Sequence, residues 1–275
     1  MTRYMLLILI GMMGFASPIF AERIVTLAPA ITEIVFSLGK GKEIVGNTKF
    51  CNYPEEAKRI PRIGGLMDVN LEMLISQKPD VVILYPEVYE KIKVLKDKVK
   101  LIVVNHIGLD DLYSGIAVIS KALHTESKGK ELTASVQQRL EQLRKKSMTH
   151  PKIKTLLIIG RNPNDFNNMY IIGANDYLNT LLDAAGGVNA YSGHIKYPSV
   201  SIESVVTMNP EAIIELSAFN EGIQDKRVVN QWKQFPFISA VKNNKIKIVK
   251  DAKWVIPGPR VAEIAEEIYR FYSSK

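Results

Sequence analysis

Four histidines, His106, His124, His150 and His194, and one cysteine, Cys51, are the strongest metal ligands and nucleophiles in the chain. No two of the histidines stand at the spacing of a zinc or iron site, which argues against a site for a bare metal ion. A lone histidine such as His106 or His194 can still approach the metal of a bound macrocycle. Cys51 reads as a small buried apolar group, the other reading being a soft ligand near a cleft; alone, it can form no internal disulfide. The sequence holds no Gly-x-x-x-x-Gly-Lys phosphate loop, no Gly-x-Ser-x-Gly elbow and no His-Glu-x-x-His metal motif. Gly39-Lys40-Gly41-Lys42 has the wrong spacing to cradle phosphate. These residues imply no catalyst and no catalytic cofactor, and a hydrolase or reductase working in a cleft is the alternative.

Carboxylates are more informative, because two of them repeat. Val69-Asn70-Leu71-Glu72 through Ile83 aligns without a gap with Val200-Ser201-Ile202-Glu203 through Ile214. In each copy a good cap, Asn70 or Ser201, precedes apolar residues at helical spacing. Proline then ends the helix, an acid follows and an apolar strand begins. Glu72 and Glu203 fall in the first turn, where a carboxylate complements the positive end of the helix. Two matching carboxylates can also present a two-point key to a symmetric partner carrying arginines.

The elements that must position these residues alternate. Apolar runs at Ile24 to Leu27, Val81 to Tyr85, Leu101 to Val104, Thr155 to Ile159, Ala212 to Leu216 and Ile246 to Val249 read as strands separated by helix-period segments. That pattern predicts an α/β protein with parallel sheets covered by helices. Residues 22–109 and 151–275 form two lobes in this reading, and 110–150 a stiff helical connector with a break near Thr125 to Gly129. Residues 1–21 carry Arg3, an apolar run from Met5 to Phe15 and small residues ending at Ala21, the layout of a cleaved secretory signal. No cysteine at the end of that run offers a lipid attachment point, so a freely diffusing periplasmic monomer is expected. The formal charge of +8 is spread along helices that also carry acids, which predicts a solvated surface and no nucleic-acid partner.

Arg23-Ile24-Val25-Thr26-Leu27-Ala28-Pro29-Ala30-Ile31-Thr32-Glu33, Cys51-Asn52-Tyr53-Pro54, Ile63-Gly64-Gly65 and the Glu72 repeat, in this order and spacing, resemble the periplasmic binding proteins of iron-chelate, haem and cobalamin ABC importers. The resemblance runs from Arg23 to the carboxy-terminal helix. It implies two Rossmann-like lobes with parallel sheets bridged by one long helix, closing only slightly on ligand. It also implies docking of Glu72 and Glu203 onto arginines of a permease dimer driven by its ATPase. Phe50 to Pro54 and Tyr197-Pro198 look most like the cobalamin-binding branch. A cobalamin binder of that branch carries tryptophans where Leu66 and Tyr197 stand here, so corrinoid comes first and haem and ferric siderophore stay open.

Ligands of α/β proteins bind beyond the carboxyl ends of the strands. The loops there contain Phe50, Tyr53, Leu66, Met67, Tyr85, Arg161, Asn162, Phe166, Tyr197 and Trp254. Aromatic and methionine side chains suit a large flat ring system. The turn-rich segment Arg161 to Asn168 can meet ligand amides or carboxylates. Arg260, after Pro257-Gly258-Pro259, either meets an acidic ligand group or packs at a helix start.

Overall fold

The computed structural model describes residues 22–162, 165–217 and 225–274. The expected signal segment and Pro163 and Asn164 lie outside them. The first lobe runs β1 (Ile24–Thr26), α1 (Pro29–Ser37), β2 (Ile44–Asn47), α2 (Leu71–Ser76), β3 (Val81–Leu84), α3 (Pro86–Ile92), β4 (Lys100–Val103) and α4 (Leu109–Ala122). Its sheet is fully parallel in the order β2-β1-β3-β4. β1 and β3 are buried along their whole length, as branched apolar runs covered on both faces must be.

Helix α5 (Glu126–Ser147) crosses to the second lobe, packing on α4 at one end. The second lobe contains β5 (Ile153–Gly160), β6 (Met169–Ile171), α6 (Tyr177–Ala184), β7 (Gly187–Asn189), β8 (Ser199–Val200), α7 (Ile202–Met208), β9 (Ala212–Leu216), α8 (Asp225–Trp232), α9 (Ser239–Lys242), β10 (Ile246–Val249) and α10 (Val261–Ser273). Its sheet is ordered β10-β9-β5-β6-β8, with β7 also on β5. This sheet is mixed: β6 runs antiparallel to β5 and to β8. The connection from Arg161 to Asn168 is too short for a crossover helix, so the chain turns back beside β5.

The helical stretch does break where expected. His124 takes a left-handed φ of 55° between α4 and α5. Gly129 then lets the two helices approach closely, since a Cβ there would lie 2.6 Å from the Ser120 Cβ. Farther along, α5 packs on α6 and α10, and Arg139 reaches Glu266 with two bonds of 2.9 and 3.0 Å.

The outer face of each sheet has its own apolar core, one around Leu74 and Val82 and one around Ile213 and Trp232. A third cluster takes Ile24, Ile83 and Ile116 from the first lobe together with Leu157, Ile214 and Ile268 from the second. No helix among the described residues is long and apolar enough to cross a membrane.

The repeat is structural. Positions 71–81 and 202–212 share the same succession of buried, intermediate and exposed residues. The residue before each proline, Lys78 or Asn209, has a left-handed φ, 48° or 41°. The acid after it closes a clamp on the lobe's first strand. Asp80 Oδ2 accepts from the Arg23 amide at 2.8 Å, while the Asp80 amide donates to the Arg23 carbonyl at 2.9 Å. Glu211 does the same with Lys154, at 2.9 and 2.7 Å.

Candidate functional site

In the first lobe the parallel strands deliver four loops to one edge of the sheet, and their side chains are built upward from a polar floor. Thr26 and Thr32 share a hydroxyl hydrogen bond of 2.7 Å. Cys51 is buried with its Sγ 3.2 Å from the Thr48 hydroxyl, and burial pushes its thiol above the ordinary range, against hydrogen bonds to Thr32 and Thr48. That environment matches the apolar reading of this cysteine. Arg62 stitches the loop together, donating to the Asn47 side chain at 2.7 Å and to the carbonyls of Thr48 and Cys51 at 2.8 and 2.9 Å. Phe50 and Tyr53 stand exposed on the loop so held, and Leu66 and Met67 stand exposed on the next one. Lys91 ties the latter loop by donating to the Met67 carbonyl.

Tyr85 leaves the end of β3, and His106 follows β4, the adjacent strand. Their rings stack at 4.0 Å between centroids, and the imidazole Nε2 lies 3.2 Å from Glu87 Oε1. Burial raises the Tyr85 hydroxyl pKa far above its ordinary value.

From the second lobe, Tyr197 stands on a loop laid against the end of β6. The Gly173 amide donates to the Lys196 carbonyl at 2.7 Å, and a Cβ on Gly173 would lie 3.1 Å from the Ile195 carbonyl carbon. Glycine is therefore required for the loop to lie this close. The exposed Tyr197 ring donates its hydroxyl to Asp176 at 2.8 Å, and burial together with that bond raises its pKa. Asp176 also caps α6 through the Leu178 amide at 2.9 Å. Between Ile107 and Gly108 of the first lobe and Asp176 and Tyr177 of the second opens a cavity of about 640 Å³, which runs back to Gln137 and Arg144 on α5.

Arg260 crosses between the lobes. Its Nε and NH2 donate to the two carboxylate oxygens of Glu33 on α1, at 3.0 and 2.6 Å, and the Tyr53 ring covers its guanidinium at 3.9 Å. Burial raises the Glu33 carboxyl above its ordinary value although Arg260 pulls the other way. Arg260 stands at the N-cap position of α10 and from there pairs across to the first lobe.

Three further expectations need correction as direct cleft contacts. Trp254 has 0% exposure, and its indole N–H donates to Glu267 at 3.1 Å; it belongs to the core. The Arg161 guanidinium is buried, donating to Glu215 at 2.8 Å and to Gln231 at 2.9 Å. Phe166 lies against that guanidinium at 4.4 Å and against Trp232 at 4.8 Å, inside the second lobe. Asn162 anchors the same turn, its carbonyl accepting from the Asp165 amide at 2.9 Å. Sequence reasoning missed Ile107 and Ile195, which stand exposed on cleft loops; an aliphatic residue outside any helical or strand period is the signal that marks them.

Glu72 and Glu203 are both exposed, each in the first turn of its short helix. The Asn70 side chain accepts from the Met73 amide at 3.0 Å. A hydrogen bond from the Ser201 hydroxyl holds the Glu203 carboxyl below the ordinary value.

This geometry agrees with the relatives of the chain. Residues 24–252 match the periplasmic binding protein family. The chain is 30% identical over 259 residues to an uncharacterised ABC transporter substrate-binding lipoprotein, YvrC, of Bacillus subtilis, covering 90% of this chain and 80% of that one. It is 27% identical over 274 residues to the vitamin B12-binding protein of Vibrio vulnificus, covering 98% and 96%. In fold it is similar to the periplasmic heme-binding protein HutB of Vibrio cholerae, with a TM-score of 0.81, 21% identity and coverage of 92% and 100%. The chain, with its two sheets, its crossing helix and its loops gathered between lobes, is a member of the periplasmic binding protein family.

Proposed function

We propose that this protein captures a bulky, flat metal macrocycle between its lobes, a corrinoid such as cobalamin first, and delivers it to an ABC importer. The observation that carries this is the set of exposed apolar and aromatic side chains on cleft loops of both lobes: Phe50, Tyr53, Leu66 and Met67 on one side, Ile195 and Tyr197 on the other. Such a concentration of exposed apolar area marks a binding surface. The similarity to a vitamin B12-binding protein over 98% of the chain supports the corrinoid. Haem is the second reading, favoured by the stacked Tyr85 and His106, two residue types that ligate haem iron. In either case the protein works as an exported periplasmic monomer without catalysis, its signal cleaved after Ala21. Glu72 and Glu203 dock it to the permease dimer.

Calorimetric titration of the mature protein with cyanocobalamin, cobinamide, haemin and a ferric hydroxamate tests the ligand. One-to-one binding of a corrinoid, weakened about tenfold or more by Tyr85→Ala or Tyr197→Ala and unchanged by Trp254→Phe, is the expected result. Binding of haemin alone selects the second reading. Binding of none of the four overturns both.

A further inference from the structure

Each of the two exposed glutamates has an exposed aliphatic neighbour one turn along the same helix. Ile75 follows Glu72 by three residues and is 53% exposed; Val206 follows Glu203 by three and is 37% exposed. Residues three apart share a helix face. The two aliphatics are aligned positions of the repeat, and each stands between the same buried anchors, Leu74 and Pro79 or Val205 and Pro210. Neither glutamate pairs with a cation of its own chain among the described residues. Leaving a branched aliphatic in water once is ordinary. Here it recurs at the same place in both copies, beside the same unpaired charge, although the exposed residue that directly follows each glutamate is not kept apolar: Met73 stands opposite Ser204 in the alignment.

We infer that Glu72 with Ile75, and Glu203 with Val206, form two equivalent docking units, each a charge beside an apolar knob. Their partner is a permease of two like subunits, each offering a cation next to a shallow apolar pocket. This rests on the docking reading above and adds the part of the surface that holds the complex once it has formed. Exposed charges set the rate of encounter and its salt dependence, whereas desolvated apolar contacts at the centre of an interface set the lifetime. Two units of the same make require a partner with the same two-fold repetition.

The probe is the importer complex of the source cell whose uptake depends on this protein, purified and held in lipid nanodiscs, with the full mature chain as analyte. The Ile75→Ser/Val206→Ser double variant is expected to dissociate about tenfold faster or more, with the association rate, its salt dependence and the ligand affinity unchanged. The Glu72→Gln/Glu203→Gln double variant is expected to associate more slowly and to lose the salt dependence. Val94→Ser, at a residue 69% exposed outside the repeat, serves as the control and is expected to change nothing. If the glutamate variant is impaired and the aliphatic variant behaves as wild type, the apolar units are wrong and docking through the glutamates stands. If both double variants behave as wild type, the docking reading itself is overturned. An Ile75→Ala/Val206→Ala pair, which retains helix propensity, gives the same discrimination should the serines unfold the short helices.

Discussion

At the scale of single residues, the floor of the cleft is made of groups whose charge is already committed. Arg260 and Glu33 are paired with each other beneath Tyr53. Arg260→Met leaves a buried carboxylate without its partner and is expected to destabilise the protein by about 3 kcal/mol, read by urea unfolding at neutral pH. The pH dependence has a definite sign. Burial raises the Glu33 carboxyl in the folded state, so the folded protein holds this proton to higher pH than the unfolded chain. Its contribution is fully present below the ordinary carboxylate range and is lost as the pH rises through the raised value. The stability advantage of wild type over Glu33→Gln is therefore expected to widen as the pH falls from neutral toward that ordinary range; a constant difference would contradict the assignment. The residue types of the cleft were legible in the sequence, their burial less so. Phe50, Tyr53, Leu66, Met67 and Tyr197 sit on loops, where composition alone suggests exposure. Trp254, Arg161 and Phe166 also follow strands, but their partners Glu267, Glu215 and Trp232 lie distant in sequence, and no local pattern announces them.

At the scale of elements, every strand expected from an apolar run is present: β1, β3 and β9 are buried throughout and β5 over its middle, as such runs require, whereas the edge strands β4 and β10 are partly exposed and were still marked by their apolar residues. The strands β2, β6, β7 and β8 were not legible. They are two to four residues long, and Gly46 or Asn189 interrupts the apolar pattern in β2 and β7. Short strands of this kind exist through their neighbours, not through their own propensity. The repeat was legible in full, yet the clamp made by its acids was not, because the acceptor's donors, the amides of Arg23 and Lys154, belong to another strand. Gly129→Val is expected to force α4 from α5 and to cost about 1 to 3 kcal/mol in thermal or denaturant unfolding, with Gly115→Ala, whose nearest neighbour is 3.7 Å away, costing far less.

At the scale of the whole molecule, bases gather where helices end. Arg23 donates to the Gln77 carbonyl at 2.6 Å behind α2, Lys100 to the Ala122 carbonyl at 3.1 Å behind α4, and Lys245 to the Phe271 carbonyl at 3.5 Å near the end of α10. Part of the excess of 36 bases over 28 acids is thereby used against the negative ends of helices, as expected for cations at that end. The apolar cluster that draws on both sheets, through Ile24, Ile116, Leu157 and Ile268, also governs how the chain comes apart. Neither sheet can lose its inner face without exposing the other's, so the lobes are coupled in unfolding. Calorimetry of the mature protein is expected to give a single transition whose van 't Hoff and calorimetric enthalpies agree, and two resolved peaks would refute that coupling. Cooperativity of this kind also bears on manufacture in the cell: a chain interrupted after the first lobe would present a wide greasy flank with nothing to cover it, and folding of the whole chain in one step leaves no such half-built species waiting.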